Sequence, residues 1–142
     1  HDLKNDRTNN FDFALEEVVQ FEGETGPYVQ YTHARAMSIL RKANHTVDTK
    51  EAFSLTDDDA WEVLKLIENY PNVVRFAEEK CEPSAIAKFV INLAQAFNKY
   101  YAHTKVLVED EAFNSRIALV QTTASILKQG LELLGVAAPD EM

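Results

Sequence analysis

Tyr28, Tyr31 and Arg35 are the side chains of this sequence whose types and spacing are best suited to recognition chemistry. Separated by three and four residues, they share one face of any helix that carries them. A tyrosine ring is a flat stacking surface with a hydroxyl at its tip, and an arginine is a planar cation. Together they suit a ligand that is planar and anionic, such as an unpaired RNA base with its phosphate, where stacking is worth about 1–3 kcal/mol per base. The same spacing also suits packing, with the rings in a core and Arg35 paired to an acid. Spacing alone leans towards packing and leaves both readings open. A second aromatic pair, Tyr100 and Tyr101, is adjacent in sequence, so on a helix the two point about 100° apart. Tyr100 continues the apolar stripe of Phe89, Leu93 and Phe97, so at most one of the pair belongs to a core.

Other chemistry is poorly represented. His1, His33, His45 and His103 are widely separated, form no HxxxH or HExxH pair, and Cys81 has no cysteine partner, which argues against a zinc site. There is no GxxxxGK[ST] phosphate loop, and Gly23-Glu24-Thr25-Gly26 is too short to cradle a nucleotide. No nucleophile elbow surrounds any serine. We expect no catalytic residue, no metal and no cofactor in this chain: it binds rather than reacts.

The elements that must position these residues are helices. Apolar residues recur at helical spacing almost throughout, and only four Gly and four Pro punctuate 142 residues. A first segment over 12–22 carries Phe13, Leu15, Val18 and Val19. A second opens at Pro27, a residue suited to a first turn because its missing N–H is not needed there, and carries Val29, Ala36, Ile39 and Leu40 to about Ala43. A third begins near Thr56, with Asp57, Asp58 and Asp59 complementing its dipole and Trp61, Leu64 and Ile67 on one side. Pro71 is expected to end it or to restart a short helix through Val74 and Ala77. A long helix after Pro83 carries Ile86, Phe89, Val90, Leu93, Phe97 and Tyr100. The last, from about Asn114, carries Ile117, Val120, Ala124, Leu127, Leu131 and Leu134 before Gly135. The expected fold is an all-α bundle of five or six helices.

The formal net charge of −9 argues at first against an RNA partner. Its distribution weakens that objection. No acid lies between Glu24 and Asp48, where Arg35, Arg41 and Lys42 occur, nor between Glu82 and Glu109, where Lys88, Lys99 and Lys105 occur. Segregation of this kind permits a basic face on an acidic protein. The single cysteine fits a reducing compartment, and no apolar run approaches the ~20 residues that span a bilayer. A cytoplasmic protein without membrane contact is therefore expected, and a start at His1 reads as a fragment of something longer.

The run from Phe21 to Arg35, Phe-Glu-Gly-Glu-Thr-Gly-Pro-Tyr-Val-Gln-Tyr-Thr-His-Ala-Arg, resembles the segment entering the anticodon-binding domain of arginyl-tRNA synthetases. Asn10-Phe11-Asp12-Phe13 resembles the connection that precedes it. Ser115 to Val120 and Ile126 to Gly135 resemble that family's last helix, and Pro139-Asp140-Glu141-Met142 its closing Pro-Glu-Arg-Met. The resemblance implies a connecting segment over 1–22 and a helical anticodon-binding domain, often called DALR, over 23–142. It implies a parent class I enzyme that ligates arginine to tRNA-Arg with ATP and magnesium on a catalytic domain. The HIGH and KMSKS-type motifs of that catalytic domain are not in this sequence. The implied partners are the tRNA-Arg anticodon loop and the catalytic domain of the same chain, in a monomer. Tyr28, Tyr31, Arg35 and Met142 are implied at the loop, with Tyr100 or its neighbour Tyr101, and Gln30 and Lys105 as lesser contacts. Met142 would offer a carboxylate to a base amino group such as cytosine N4. Glu141 stands where the family has arginine, a charge reversal that puts a phosphate contact at that position in doubt. From a different class, a helical protein-interaction module with a tyrosine face remains the alternative.

Overall fold

The structure is a computed structural model and describes residues 25–142, so the helix expected over 12–22 and the connecting segment lie outside the described residues. Four helices follow: α1 (Gly26–Ala43), α2 (Asp58–Lys80), α3 (Ser84–His103) and α4 (Phe113–Leu133). The all-α class is as expected. Four helices are described against the five or six expected: one of the expected helices lies outside the described residues, and α2 runs unbroken through Pro71 instead of ending or restarting there. Proline removes one N–H from the helical ladder, but tertiary packing holds both halves in line. The Tyr70 ring lies 5.3 Å from that of Phe89 on α3, and Val73 and Ala77 pack on the core just beyond.

Local chemistry sets the ends. Pro27 occupies the first turn of α1, and Arg41 and Lys42 sit in its last turn, where cations favour the carbonyl end of the dipole. Asp57, rather than Thr56, caps α2: its carboxylate accepts the Ala60 N–H at 3.1 Å, with Asp58 and Asp59 in the first turn. Cys81 terminates α2 in the left-handed region at φ 52°, and Glu82 N–H then closes on the Ala77 carbonyl at 3.0 Å.

The core lies where α3 and α4 meet α1 and α2. The expected stripes of α3 and α4 are all buried, from Ile86 to Tyr100 and from Ile117 to Leu134. Each fully buried Leu or Phe contributes about 1.5–3 kcal/mol. On α2 the buried positions are Ala60, Val63 and Ala77, whereas Trp61 is 56% exposed. Ala60 and Val63 define the inward stripe, Leu64 and Ile67 are partly buried against the core, and Trp61 lies on the flank. Gly130 lets the helices approach closely, since Val90 Cγ1 of α3 occupies the space that a side chain there would need.

Two loops are pinned to the start of α4. Asn114 donates to the Asp48 carbonyl at 3.0 Å and accepts from Asp48 N–H at 2.8 Å, and Ser115 accepts Ser54 N–H at 3.0 Å. Arg116, only 7% exposed, donates to the carbonyls of Val106 and Val108 and to the Asp110 carboxylate at 2.7 Å. After α4 the chain turns at Gly135, whose φ of 75° is a conformation glycine adopts without a Cβ penalty. Residues 136–142 then return along α1.

Candidate functional site

Tyr28, Tyr31 and Arg35 share the face of α1 that looks towards the end of α3 and the returning tail. Packing does not claim the tyrosines: Tyr28 is 41% and Tyr31 48% exposed. Among the described residues Arg35 meets no acid either. Its guanidinium lies between two rings, 5.2 Å from the Tyr31 centroid and 5.1 Å from that of Tyr101. Its Nη1 donates to Asn98 Oδ1 at 2.9 Å, and its Nη2 reaches Tyr31 Oη at 3.5 Å. A cation held over two aromatic rings gains about 0.5–1 kcal/mol per exposed ring.

Beside this stack opens a cavity of about 670 Å³. Tyr31, Arg35 and Tyr101 form one side, Ser38, Arg41 and Lys42 continue along α1, and Leu107, Glu141 and Met142 close the other. The cations bordering it are Arg35, Arg41 and Lys42, against the single acidic side chain of Glu141, so a basic site exists on an acidic protein. Glu141 is solvent-facing and stands 3.9 Å from Arg41, an exposed pair of the kind worth about 0–1 kcal/mol.

The tail that carries Met142 is strapped to α1 at successive points. Gln30 Nε2 donates to the Ala137 carbonyl at 2.8 Å, and Arg41 Nη1 donates to the Asp140 carbonyl at 3.2 Å. Between them His33, 1% exposed, faces the Pro139 carbonyl with Nδ1 at 3.0 Å. A carbonyl only accepts, so that nitrogen carries the proton. The three partners advance along the tail as the three side chains advance along α1, which lays the tail parallel to the helix and brings Met142 to the cavity.

The residues expected at the site are thus divided. Tyr31, Arg35, Tyr101 and Met142 meet at the cavity, and Tyr28 stands next to them, joined through Asn98 Nδ2, which donates to Tyr28 Oη at 3.0 Å. Tyr100 is not at this site: it is fully buried, on the stripe of Phe97, whose ring is 6.4 Å away. Its hydroxyl has no partner among the described residues, and burial, reinforced by Asp57 and opposed by Arg116, pushes its pKa far above the ordinary tyrosine value. Lys105 is also elsewhere, lining a separate cavity of about 590 Å³ with Tyr100, Asp57 and His103. Gln30 spends its amide on the tail.

Asn98, His33, Ser38 and Leu107 are residues that the sequence reading did not assign to the site. Asn98 lies three residues before Tyr101 and so shares its face, which is the one sequence signal that pointed there. Among the described residues no group of His, Cys, Asp and Glu is placed to hold a metal ion, and no helix is long and apolar enough to cross a membrane.

The described residues thus form a helix bundle that carries a Tyr–Arg–Tyr cluster on the rim of a basic cavity. Residues 29–142 match the family model of the DALR anticodon binding domain, and the chain belongs to that family. It is 64% identical, over all 142 residues, to an arginine–tRNA ligase of Enterococcus faecalis, of which it covers 25%. To the arginine–tRNA ligase of Latilactobacillus sakei it is 57% identical, with the same coverage. The chain therefore spans about a quarter of the length of these relatives. Among solved structures, Thermus thermophilus arginyl-tRNA synthetase superimposes with a TM-score of 0.73 at 37% identity, over 86% of this chain and 22% of that one. A Campylobacter jejuni structure described as a putative arginyl-tRNA synthetase gives 0.74 at 27% identity, over 81% of this chain and 26% of that one.

Proposed function

We propose that this chain is the anticodon-reading part of an arginyl-tRNA synthetase and that the cavity beside Tyr31, Arg35 and Tyr101 receives the anticodon loop of tRNA-Arg. The observation that carries this reading is the Arg35 guanidinium held between two tyrosine rings at the mouth of a cavity bordered by two further cations. A stacked aromatic–cationic wall takes an unstacked base on its exposed ring and a phosphate on its cation. Tyr28 and Tyr31 extend that wall, and the main-chain oxygens of Met142 are the acceptors for a base amino group, with the middle cytosine of the anticodon as their partner. The domain corresponds to 23–142, with 1–22 leading from a catalytic domain outside this chain. On that catalytic domain the parent ligates arginine to tRNA-Arg with ATP and magnesium; no residue of this chain is assigned to either. The parent acts as a cytoplasmic monomer. The family assignment removes the motive for a protein-interaction module.

The test is binding of a tRNA-Arg anticodon stem–loop to the 142-residue chain, followed by fluorescence anisotropy at several salt concentrations. Tyr31→Ala and Arg35→Ala should each weaken binding about tenfold or more, given stacking of about 1–3 kcal/mol per base, with affinity falling as salt rises. Replacing the middle cytosine should weaken binding to the unaltered chain, and Tyr100→Phe should leave binding unchanged. Unaltered affinity in folded Tyr31 and Arg35 variants refutes the site.

A further inference from the structure

We propose that Asn98 is a positioning residue for RNA recognition, one amide that orients Arg35 and also makes the Tyr28 hydroxyl a hydrogen-bond donor towards the RNA. The proposal rests on the anticodon reading above and adds to it a residue and a polarity.

The inference follows from counting protons around one half-buried side chain. Asn98 has three close polar neighbours: Arg35 Nη1 at 2.9 Å, Tyr28 Oη at 3.0 Å and Thr32 Oγ1 at 2.9 Å. Arginine only donates, so the amide oxygen must face Arg35. The amide nitrogen therefore faces Tyr28 and Thr32, and it has one proton for each. Thr32 is consistent with this, because its own hydroxyl proton is committed to the Tyr28 carbonyl at 2.9 Å, which leaves its oxygen to accept. Tyr28 Oη likewise accepts from Asn98, so its proton is not used within this cluster. Tyr28 is 41% exposed, so that proton is left for solvent or for a ligand. The surface offered to a ligand is thus an oriented donor, matched to an acceptor oxygen of the RNA, on a phosphate or on a base carbonyl.

Asn98 also restrains the cation. With Nη1 tied to Asn98, the guanidinium plane keeps its place between Tyr31 and Tyr101, and the ligand meets a wall that is already assembled. Both polar atoms of the Asn98 amide are engaged by its three neighbours, so its part is assigned as indirect: it acts through Tyr28 and Arg35.

Asn98→Asp tests the polarity. A carboxylate keeps the bond to Arg35 but only accepts, so Tyr28 must turn its proton inwards and present the RNA with a lone pair. We expect about tenfold weaker binding of the tRNA-Arg stem–loop, the loss of one donor bond. Asn98→Leu, neutral and of similar size, removes the amide without adding charge and should also weaken binding about tenfold, because Arg35 and Tyr28 then lose their common restraint. Circular dichroism melts identify the folded variants to be compared. The decisive reading is coupling to Tyr28→Phe. That change should cost about tenfold in the unaltered chain and less than about twofold in Asn98→Asp, where the donor is already lost. A generally loosened structure would give additive losses instead. Additive losses, or stem–loop binding by both Asn98 variants equal to that of the unaltered chain while Arg35→Ala is weakened, overturn the proposal alone. Equal binding by Arg35→Ala as well overturns the anticodon reading with it.

Discussion

Replacing Arg35 by lysine separates charge from shape at the centre of the site. The substitution keeps the positive charge but removes the planar guanidinium, whose Cζ lies 5.2 Å from one ring centroid and 5.1 Å from the other. An ammonium can approach one ring face as a point charge, yet it cannot hold two rings apart as a flat spacer. Tyr31 and Tyr101 then regain rotational freedom that RNA must remove on binding. Immobilising a side chain costs about 0.5–1.5 kcal/mol, so freeing two rings weakens binding by about 1–3 kcal/mol, or roughly 5- to 150-fold. The assay is anisotropy of the labelled anticodon stem–loop titrated with Arg35→Lys at several salt concentrations. Because the charge is conserved, the slope of log affinity against log salt should match that of the unaltered chain. Arg35→Ala, by contrast, should lower the slope by about 0.7, the share of one phosphate on a single strand. Arg35→Lys binding as tightly as the unaltered chain would refute the argument, since the guanidinium plane would then contribute nothing.

Gly130→Ala sets helix propensity against packing. Alanine gains about 1 kcal/mol within a helix, but its methyl group meets Val90 Cγ1, a stiff, fully buried β-branched side chain, and overpacking there costs about 1–3 kcal/mol. We expect urea unfolding to give a net loss of up to about 2 kcal/mol, and in a Val90→Ala background the same change should become stabilising; an unchanged effect in the two backgrounds would sink the steric explanation. At the Asp110–Arg116 pair the hydrogen bond from Arg116 is the leading cause that holds the Asp110 carboxyl below the usual carboxylate range. A depressed folded-state value stabilises the fold above the unfolded value of about 3.9 and is lost as pH falls through the folded one. Thermal melts should therefore show Asp110→Asn less stable than the unaltered chain at neutral pH, with the gap closing in acid. A gap independent of pH would contradict the assignment.

Much of this was legible from local pattern. The stripes of α3 and α4 follow from the helical period alone, because positions three and four apart face one way whatever the surroundings. The Tyr28, Tyr31 and Arg35 face was legible for the same reason, but its exposure was not. Whether a tyrosine face meets core or solvent depends on which helix lies opposite, and the chain carries no local mark of that. Pro71 misled for a related reason: its local penalty is real, but Tyr70 on Phe89 and the buried Ala77 keep α2 continuous. Asn98 was hidden because its partners are 63 to 70 residues away in sequence, and a lone asparagine on a helix has many uses. Among the tyrosines, the apolar stripe alone already favoured the core for Tyr100. The family resemblance named both neighbours, and only the packing of α3 separates them.

That separation places an unusual condition on α3. Tyr100 fills the interior and Tyr101 meets Arg35, so two consecutive residues serve opposite sides of the helix wall. A single residue inserted or deleted between Ser84 and Tyr100, with the earlier turns held in place, would rotate everything beyond it by about 100°. The core would then receive the wrong ring and the cavity would lose its stacking partner in the same event. On the proposed anticodon reading, helix length is thus under a joint constraint here: one change of length in this segment would cost folding and recognition together.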